Sequence, residues 1–242
     1  MKAYTRRDLA IHPVADDNCI VVACDSCGAI GLKNGDVFKL SPRLAAKFTT
    51  RVVLTEILCS GAMPALITNA VANEMHPTGE ETILGIQDEL KNANIKNVTI
   101  IGSTEENFAT SMTALAITAI GTVKESELKF GNASKGDKFV LFGTPKVGAE
   151  VILESPGYYP EIRQLLLNPD VKEINPVGSK GIAYEAQTLA ELNKMTFNPF
   201  DMNIDFNKSA GPATCLLILC ADSSVEQVMS IYPENTIIGE VV

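Results

Sequence analysis

The chain has 242 residues, enough to bury one large core or two modest ones, and 46% of them are apolar, the composition of a packed protein and not a disordered one. A formal charge of -9 argues against nucleic acid, whose phosphates are gripped by clustered Lys and Arg. No apolar run approaches the roughly 20 residues of a membrane helix, and the opening MKAYTRRDLAIHP lacks the apolar core of a signal peptide, so no membrane partner and a cytoplasmic location are expected.

In chain order, NCIVVAC (18–24) is a short β-branched apolar run and predicts a buried strand that stops before Asp25. SPRLAAKFTTRVVLTEILCSG predicts a helix with Ser41 as N-cap, Pro42 at its first position and Gly61 at its end. ALITNAVANEM (65–75) predicts a strand, and PTGEETILGIQDELKNANI an amphipathic helix opened by a capping box of Thr78 with Glu81. NVTIIG (97–102) and SMTALAITAIGTV (111–123) are further strands. Residues 124–137 turn polar and mark the expected domain boundary. Beyond it KFVLFG, ATCLLILCA and NTIIGEVV predict strands, and KVGAEVILE, PEIRQLLLN, SKGIAYEAQTLAELNKM and SVEQVMSIY predict helices.

Cys24-Asp-Ser-Cys27 has the form of a redox or zinc motif. A structural zinc site needs further ligands at close spacing, yet Cys19, Cys59, Cys215 and Cys220 form no second pair and His12 and His76 stand far apart. A redox CxxC opens a helix, whereas GAIGLKNGD follows here. The cysteines therefore read as incidental, and Asp25 becomes the residue of interest.

Carboxylates recur at the ends of the predicted elements: Asp16 and Asp17 before the first strand, Asp25 after it, and Glu105 and Glu106 after TIIGST. Glu56 stands inside an apolar helix segment, where a lone carboxylate is costly unless a cation meets it. Two readings follow for it: a metal ligand, or a core charge paired with an arginine such as Arg43 or Arg51. Together the acids suggest chelation of a hard cation such as Mg²⁺, which lets an acidic protein bind a triphosphate. Neither GTPKVGAE (143–150) nor GNASKGDK (131–138) completes a Walker loop, and no GxGxxG is present, so a nucleotide site must be of another kind. In the second half, Gly178, Ser179, Lys180 and Gly181 open a helix and form either an anion site or an ordinary cap. Lys208 and Ser209 could meet a phosphate or cap a turn, and Glu154, Tyr158 and Tyr159 could line an aromatic acceptor pocket or lie in plain loop.

CDSCGAIG, the helix TRVVLTEILCSGAMP, and TIIGSTEEN before ALAITAIG resemble the aminoimidazole ribonucleotide (AIR) synthetase superfamily, which includes thiamine-monophosphate kinase, selenophosphate synthetase and a hydrogenase maturation protein. The resemblance implies an α/β (α+β) fold of two domains. Residues 1–123 would form a dimerising ATP- and Mg²⁺-binding domain, a mixed or antiparallel sheet with helices on one face, and residues 130–242 a smaller, abbreviated α/β domain. It implies Asp25, Glu56, Glu105 and Glu106 as metal ligands, Asp16 or Asp17 as ligand or base, and Ser103, Thr104 and Asn107 as ATP-binding residues. Gly178, Ser179, Lys180 and Lys208 are the phosphate or acceptor candidates. Gly61-Ala62-Met63-Pro64 matches the family's Gly-Ala-x-Pro, Glu56 replaces the helix aspartate, and Gly102-Ser103-Thr104-Glu105 departs from Gly-Gly-Asp/Glu-Thr. These departures and the short second domain resemble the α-ribazole kinase branch, which implies an ATP-dependent kinase acting on a small molecule, as a homodimer. ATP-dependent ring closure, and a non-catalytic nucleotide-binding regulator of the same fold, are the competing readings.

Overall fold

The structure is a computed structural model that describes residues 2–151, 155 and 157–242. Contacts divide it into two units, 1–57 with 62–126, and 58–61 with 127–242.

Among the described residues the first unit is built on a six-stranded sheet of β1 (Tyr4–Arg6), β2 (Leu9–Pro13), β3 (Asn18–Gly28), β6 (Met63–Val71), β7 (Thr99–Thr104) and β8 (Ala114–Lys124), in the order β1-β2-β3-β8-β6-β7. A two-stranded sheet pairs the short β4 (Ile30–Gly31) and β5 (Phe38–Lys39) beside it. Alternation decides which face is inside: Cys19, Val21 and Ala23 of β3 are buried, while Ile20 and Val22 between them are half-buried on the other face. β3 does not stop at Cys24. It pairs with β8 along its whole length, from Asn18 opposite Lys124 to Gly28 opposite Ala114, because the partner strand supplies hydrogen bonds past the apolar run. β6 and β7 are parallel, which needs a crossover, and α2 (Glu80–Asn92) supplies it, so the sheet is mixed.

Helix α1 (Pro42–Cys59) begins as its caps dictate, with the Ser41 hydroxyl accepting the Leu44 N–H at 3.3 Å, and gives way to Gly61 in the left-handed region at φ 87°. It covers the inner sheet face, where a Cβ on Gly121 of β8 would press to 2.7 Å from Ile57. On its far side α1 meets α2 closely enough that a Cβ on Gly85 would lie 2.1 Å from the Arg43 carbonyl. The expected capping box at Thr78 does not form. A π-helical turn, Met75–Gly79, precedes α2, and the Thr78 hydroxyl donates to Glu74 at 2.6 Å instead of capping the helix.

In the second unit the described residues form a five-stranded antiparallel sheet of β9 (Lys138–Gly143), β10 (Val171–Pro176), β11 (Phe197–Pro199), β12 (Cys215–Cys220) and β13 (Asn235–Val241), ordered β10-β12-β9-β13-β11. Every residue of β12 is buried, which explains its unbroken apolar run: both sheet faces are covered. Helix α4 (Gly181–Leu192) packs Ile182, Ala186 and Leu189 against Phe139, Leu141, Leu217 and Leu219. The opposite face, with Val140, Phe142, Leu216 and Ile218 buried, is met by α3 (Tyr159–Leu166) and α5 (Val225–Met229). KVGAEVILE is not the expected helix: it holds a single 3₁₀ turn at Gly148–Glu150, and residues 152–154, including Glu154, lie outside the described residues.

Tyr158 and Tyr159 are buried, 9% and 1% exposed. They are core residues, Tyr158 donating its hydroxyl to the Thr214 carbonyl at 2.9 Å and packing edge-on to Tyr232. Gly143, at φ 74°, is required there, since a Cβ would lie 1.9 Å from the Tyr158 hydroxyl. Among the described residues no helix is long and apolar enough to cross a membrane.

Candidate functional site

Strand register places one row of residues across the inner face of the first sheet: Asp25 opposite Ile117, Ile117 opposite Asn69, and Asn69 beside Gly102. The next row holds Cys27, Leu115, Val71 and Thr104. Asp25 thus lies mid-strand, half-buried on the face that α1 covers. Burial pushes its carboxyl above the ordinary range, the Ser26 N–H opposes this, and the charge of Asp8 adds to it.

Asp8 and Arg7 are the two residues of the turn between β1 and β2, with Arg7 at φ 52°. Arg7 folds inward, its side chain 2% exposed, and its guanidinium lies 3.6 Å from the carboxylate of Glu56, itself 9% exposed. One tight turn therefore faces both Asp25 and Glu56. Of the arginines expected as partners of Glu56, Arg43 pairs with Asp88 at 2.6 Å and Arg51 with the buried Glu89 at 2.7 Å.

CDSC is divided by the pleat. Cys24 is exposed on the outer face and Cys27 half-buried on the inner one, so the two thiols cannot share a metal or close a disulfide. Burial, then the neighbouring Asp25 charge, raises the Cys27 thiol, and burial pushes Cys215 and Cys220 up to about 12, as for inert core thiols.

The GSTEEN segment ends β7. Gly102 is held to glycine because a Cβ would lie 1.5 Å from the amide oxygen of Asn69. Ser103 is exposed on the outer face, while the Thr104 hydroxyl donates to Glu106 at 3.0 Å. Glu106 also accepts the Met75 N–H at 2.7 Å, and Glu105 accepts the Asn107 N–H at 2.6 Å. The buried Asn73 ties this loop down: its amide donates to Thr110 and Met112 and accepts from Ala114, and its carbonyl accepts the Glu105 N–H.

Beside this segment opens a cleft of about 550 Å³ lined by Lys33, Ser41, Glu74, Thr78, Glu81 and Thr113, among others. The Lys33 ammonium pairs with Glu74 at 2.6 Å. Burial alone would raise the Glu74 carboxyl, but the bonds from Lys33 and Thr78 hold it below the usual range. Asp36 braces the loop that carries Lys33. It accepts the Thr113 N–H and hydroxyl and the Lys33 N–H, and these bonds overcome burial to keep its carboxyl low.

A sequence profile described as AIR synthase related protein, N-terminal domain, matches residues 6–123, the span of this sheet and its helices. Residues 6–123 are thus an AIR synthase related N-terminal domain. Among solved structures it is similar to T. maritima PurL complexed with ATP (14% identity, TM-score 0.74, 99% of this chain and 42% of PurL), to HypE in the HypE–HypF complex (17%, 0.67, 97% and 86%) and to E. coli HypE (17%, 0.65, 91% and 79%). The chain spans about two fifths of the length of PurL. No curated protein matches it.

Within this AIR synthase related domain the candidates separate. Asp25 and Glu56 share the Arg7–Asp8 turn, and Thr104, Glu105 and Glu106 sit at the cleft's edge by way of Asn73 and Met75. Asp16 and Asp17 are not brought to them. Both have positive φ, 59° and 60°, as the central residues of the β2–β3 hairpin turn, and Asp17 accepts the Ser126 hydroxyl at 2.6 Å. Eight residue steps of extended chain separate Asp17 from Asp25, roughly 26 Å.

Among the described residues no three of His, Cys, Asp or Glu gather to hold a metal ion. In the second unit Gly178 to Lys180 do form the start of α4, but the carbonyls of Gly178 and Phe206 take the N–H groups of Gly181 and Ala183. Lys180 lies against Tyr184 and Lys208 pairs with Glu150 at 2.9 Å, so the ordinary cap describes this end better than an anion site.

Sequence reasoning missed Arg7, Lys33, Asp36, Asn73 and Glu74. The signals were weak but present, a charged RRD between two strands and NE before a proline.

Proposed function

We propose that this chain is an ATP-dependent phosphotransferase acting on a small molecule, with ATP entering as its magnesium complex and the metal arriving as part of the substrate. The observation that carries the reading is the Asp25–Ile117–Asn69–Gly102 row, which sets the family's strand-end aspartate and its glycine motif on one face of one sheet. Support comes from PurL, whose structures hold ATP, ADP and AMPPCP. Magnesium is usually met by one or two carboxylates plus substrate phosphates, and it would neutralise phosphate charge that this acidic chain supplies few cations to meet. Asp25 is the carboxylate that meets the incoming complex, and Glu105 and Glu106 follow the end of β7. Lys33 stands in the adjoining cleft as the cation for a phosphate oxygen. Among acceptors, a nucleoside such as α-ribazole suits the Glu56 and GSTEEN departures, which resemble that branch.

Thermal unfolding with ATP, with Mg²⁺ and with both tests the reading. A shift is expected only with both, since a ligand that binds the native state alone stabilises it, by about 2.7 kcal/mol at a hundred times its Kd. An equal shift with ATP alone, or none with both, would overturn it. The reading with nucleotide binding but no turnover is favoured by one observation, Thr104 in the acidic position of the motif with Glu106 bound to Met75. Transfer of the γ-phosphate to a panel of nucleosides separates the two.

The assembly we propose is a homodimer through the outer sheet face. Ile20, Val22, Ile120 and Leu66 are half-buried there, Met63 and Ile101 are 55% and 61% exposed, and single-sided sheets of this composition are covered by a partner. Light scattering at micromolar concentration should give twice the chain mass; a monomer throughout would remove the claim.

A further inference from the structure

The second unit contains an aromatic cavity that plays no part in the reading above. It has a volume of about 460 Å³, within the range of small-molecule sites, and lies between one side of α4 and the segment that follows β11. Its walls are Phe197, Phe200, Met202 and Phe206, with Ala183 of α4 between them and Asp201 at the rim. These phenylalanines line a cavity that the sequence pattern did not single out.

The walls are fixed before any ligand arrives. Phe197 packs edge-on to the core residue Phe139 at 5.0 Å and sits 6.2 Å from Phe206, centroid to centroid. The backbone behind them is tied on three sides. The Phe197 N–H donates to the Gln187 side chain, the Phe200 N–H to the Ile238 carbonyl, and the Phe206 carbonyl accepts from Ala183 in α4. Phe200 is 37% exposed, which places it at the mouth where an entering ring would stack.

Charge narrows the occupant. The lining has no Lys, Arg or His, so nothing in it compensates a phosphate. Its one ionisable group is Asp201, exposed at the rim, for which the described residues offer no ion pair. Aromatic walls favour the faces and edges of a flat ring, and a rim carboxylate favours a ring N–H or a ring that carries positive charge. We propose that this cavity binds a planar nitrogen heterocycle of nucleobase size, free of phosphate, stacked on Phe200 and Phe206 with a polar edge toward Asp201.

The chain contains no tryptophan, so Phe200→Trp creates a single reporter at the mouth. Titrating this variant with benzimidazole and with adenosine should give saturable fluorescence changes, and D-ribose should give none. AMP should bind about tenfold more weakly than adenosine, a difference of about 1.4 kcal/mol, because its phosphate meets a carboxylate and no cation. Ala183→Leu in the same background fills the cavity from a helical position that tolerates leucine, and should abolish the response without lowering the melting temperature. Calorimetry of benzimidazole with the unaltered chain checks that Phe200→Trp has not itself made or blocked the site, and serves alone if Ala183→Leu does not fold. No saturable binding by either method, equal binding of ribose, a response that tracks protein concentration and so reports a second copy, or full binding by folded Ala183→Leu would each overturn the proposal. None of these outcomes bears on the Mg-ATP shift of the first unit, so the two claims fail separately.

Discussion

Glu56→Gln should destabilise the unliganded protein by about 3–5 kcal/mol, the cost of removing one member of a buried ion pair. Arg7 is 2% exposed and Glu56 9%, so neither can turn to water when the other is neutralised, and the glutamine leaves a buried guanidinium facing an uncharged amide 3.6 Å away. Arg7→Met should cost a similar amount for the mirror-image reason. The two losses should not add. Arg7→Met with Glu56→Leu removes both charges, and with them the expense of keeping either out of water, so the double variant should recover most of the loss. Urea melts of the four proteins without ligand measure this directly. The result that would return Glu56 to the metal is an unchanged urea midpoint together with weakened Mg-ATP binding.

Asp25→Asn should do the opposite on both counts. Its carboxyl is held above the ordinary range chiefly by burial, with Asp8 adding repulsion, so at neutral pH the ionised group is a standing cost to the empty protein. The sign follows from proton counting. Between the unfolded value, near 3.8, and the raised folded value, the native state binds more protons, so stability falls as pH rises through that window and stays lower above it. Asparagine removes the cost, and the variant's stability at neutral pH should equal or exceed the parent's, without the parent's gain on acidification through the window. Mg-ATP affinity should fall by about tenfold or more, worth roughly 1.4 kcal/mol, because the amide keeps the shape but not the charge a divalent cation needs. Isothermal titration beside the melts reads both quantities, and normal Mg-ATP binding by a folded Asp25→Asn would remove Asp25 from the site.

What could be read from the sequence was whatever depends on near neighbours. The strands β3 and β8, the Ser41–Pro42 start of α1 and the glycine that ends it are local patterns, and they appear where residue type alone places them, though β3 runs past the apolar stretch to Gly28. The apolar runs of β9 and β12 likewise announced strands, and the structure buries both faces of β12. Partnerships across the chain were out of reach. Glu56 meets Arg7, 49 positions away, only because a two-residue turn points a guanidinium inward, while Arg43 and Arg51, nearer in sequence, lie on the helix flank that α2 covers. Asp16 and Asp17 looked close to Asp25 because eight residues is a short distance in a sequence and a long one in an extended strand. Thr78 had the right spacing for a cap, and lost its hydroxyl to Glu74, a bond that spacing rules for helix starts do not include.

The gap at Gly102 also governs how this motif can vary over a lineage. Alanine, the smallest change open to that codon's product, meets the Asn69 amide oxygen at 1.5 Å and the Asn69 carbonyl at 2.6 Å. Trimming Asn69 beforehand would clear the first obstacle and leave the second, which belongs to the backbone and cannot be mutated away. Position 102 is therefore a dead end for single steps and for the obvious two-step route. Position 103, one residue on, points to the opposite face of the sheet, away from Asn69. Substitution along this segment is therefore asymmetric by geometry: position 102 is locked by its neighbour Asn69, and position 103 is not.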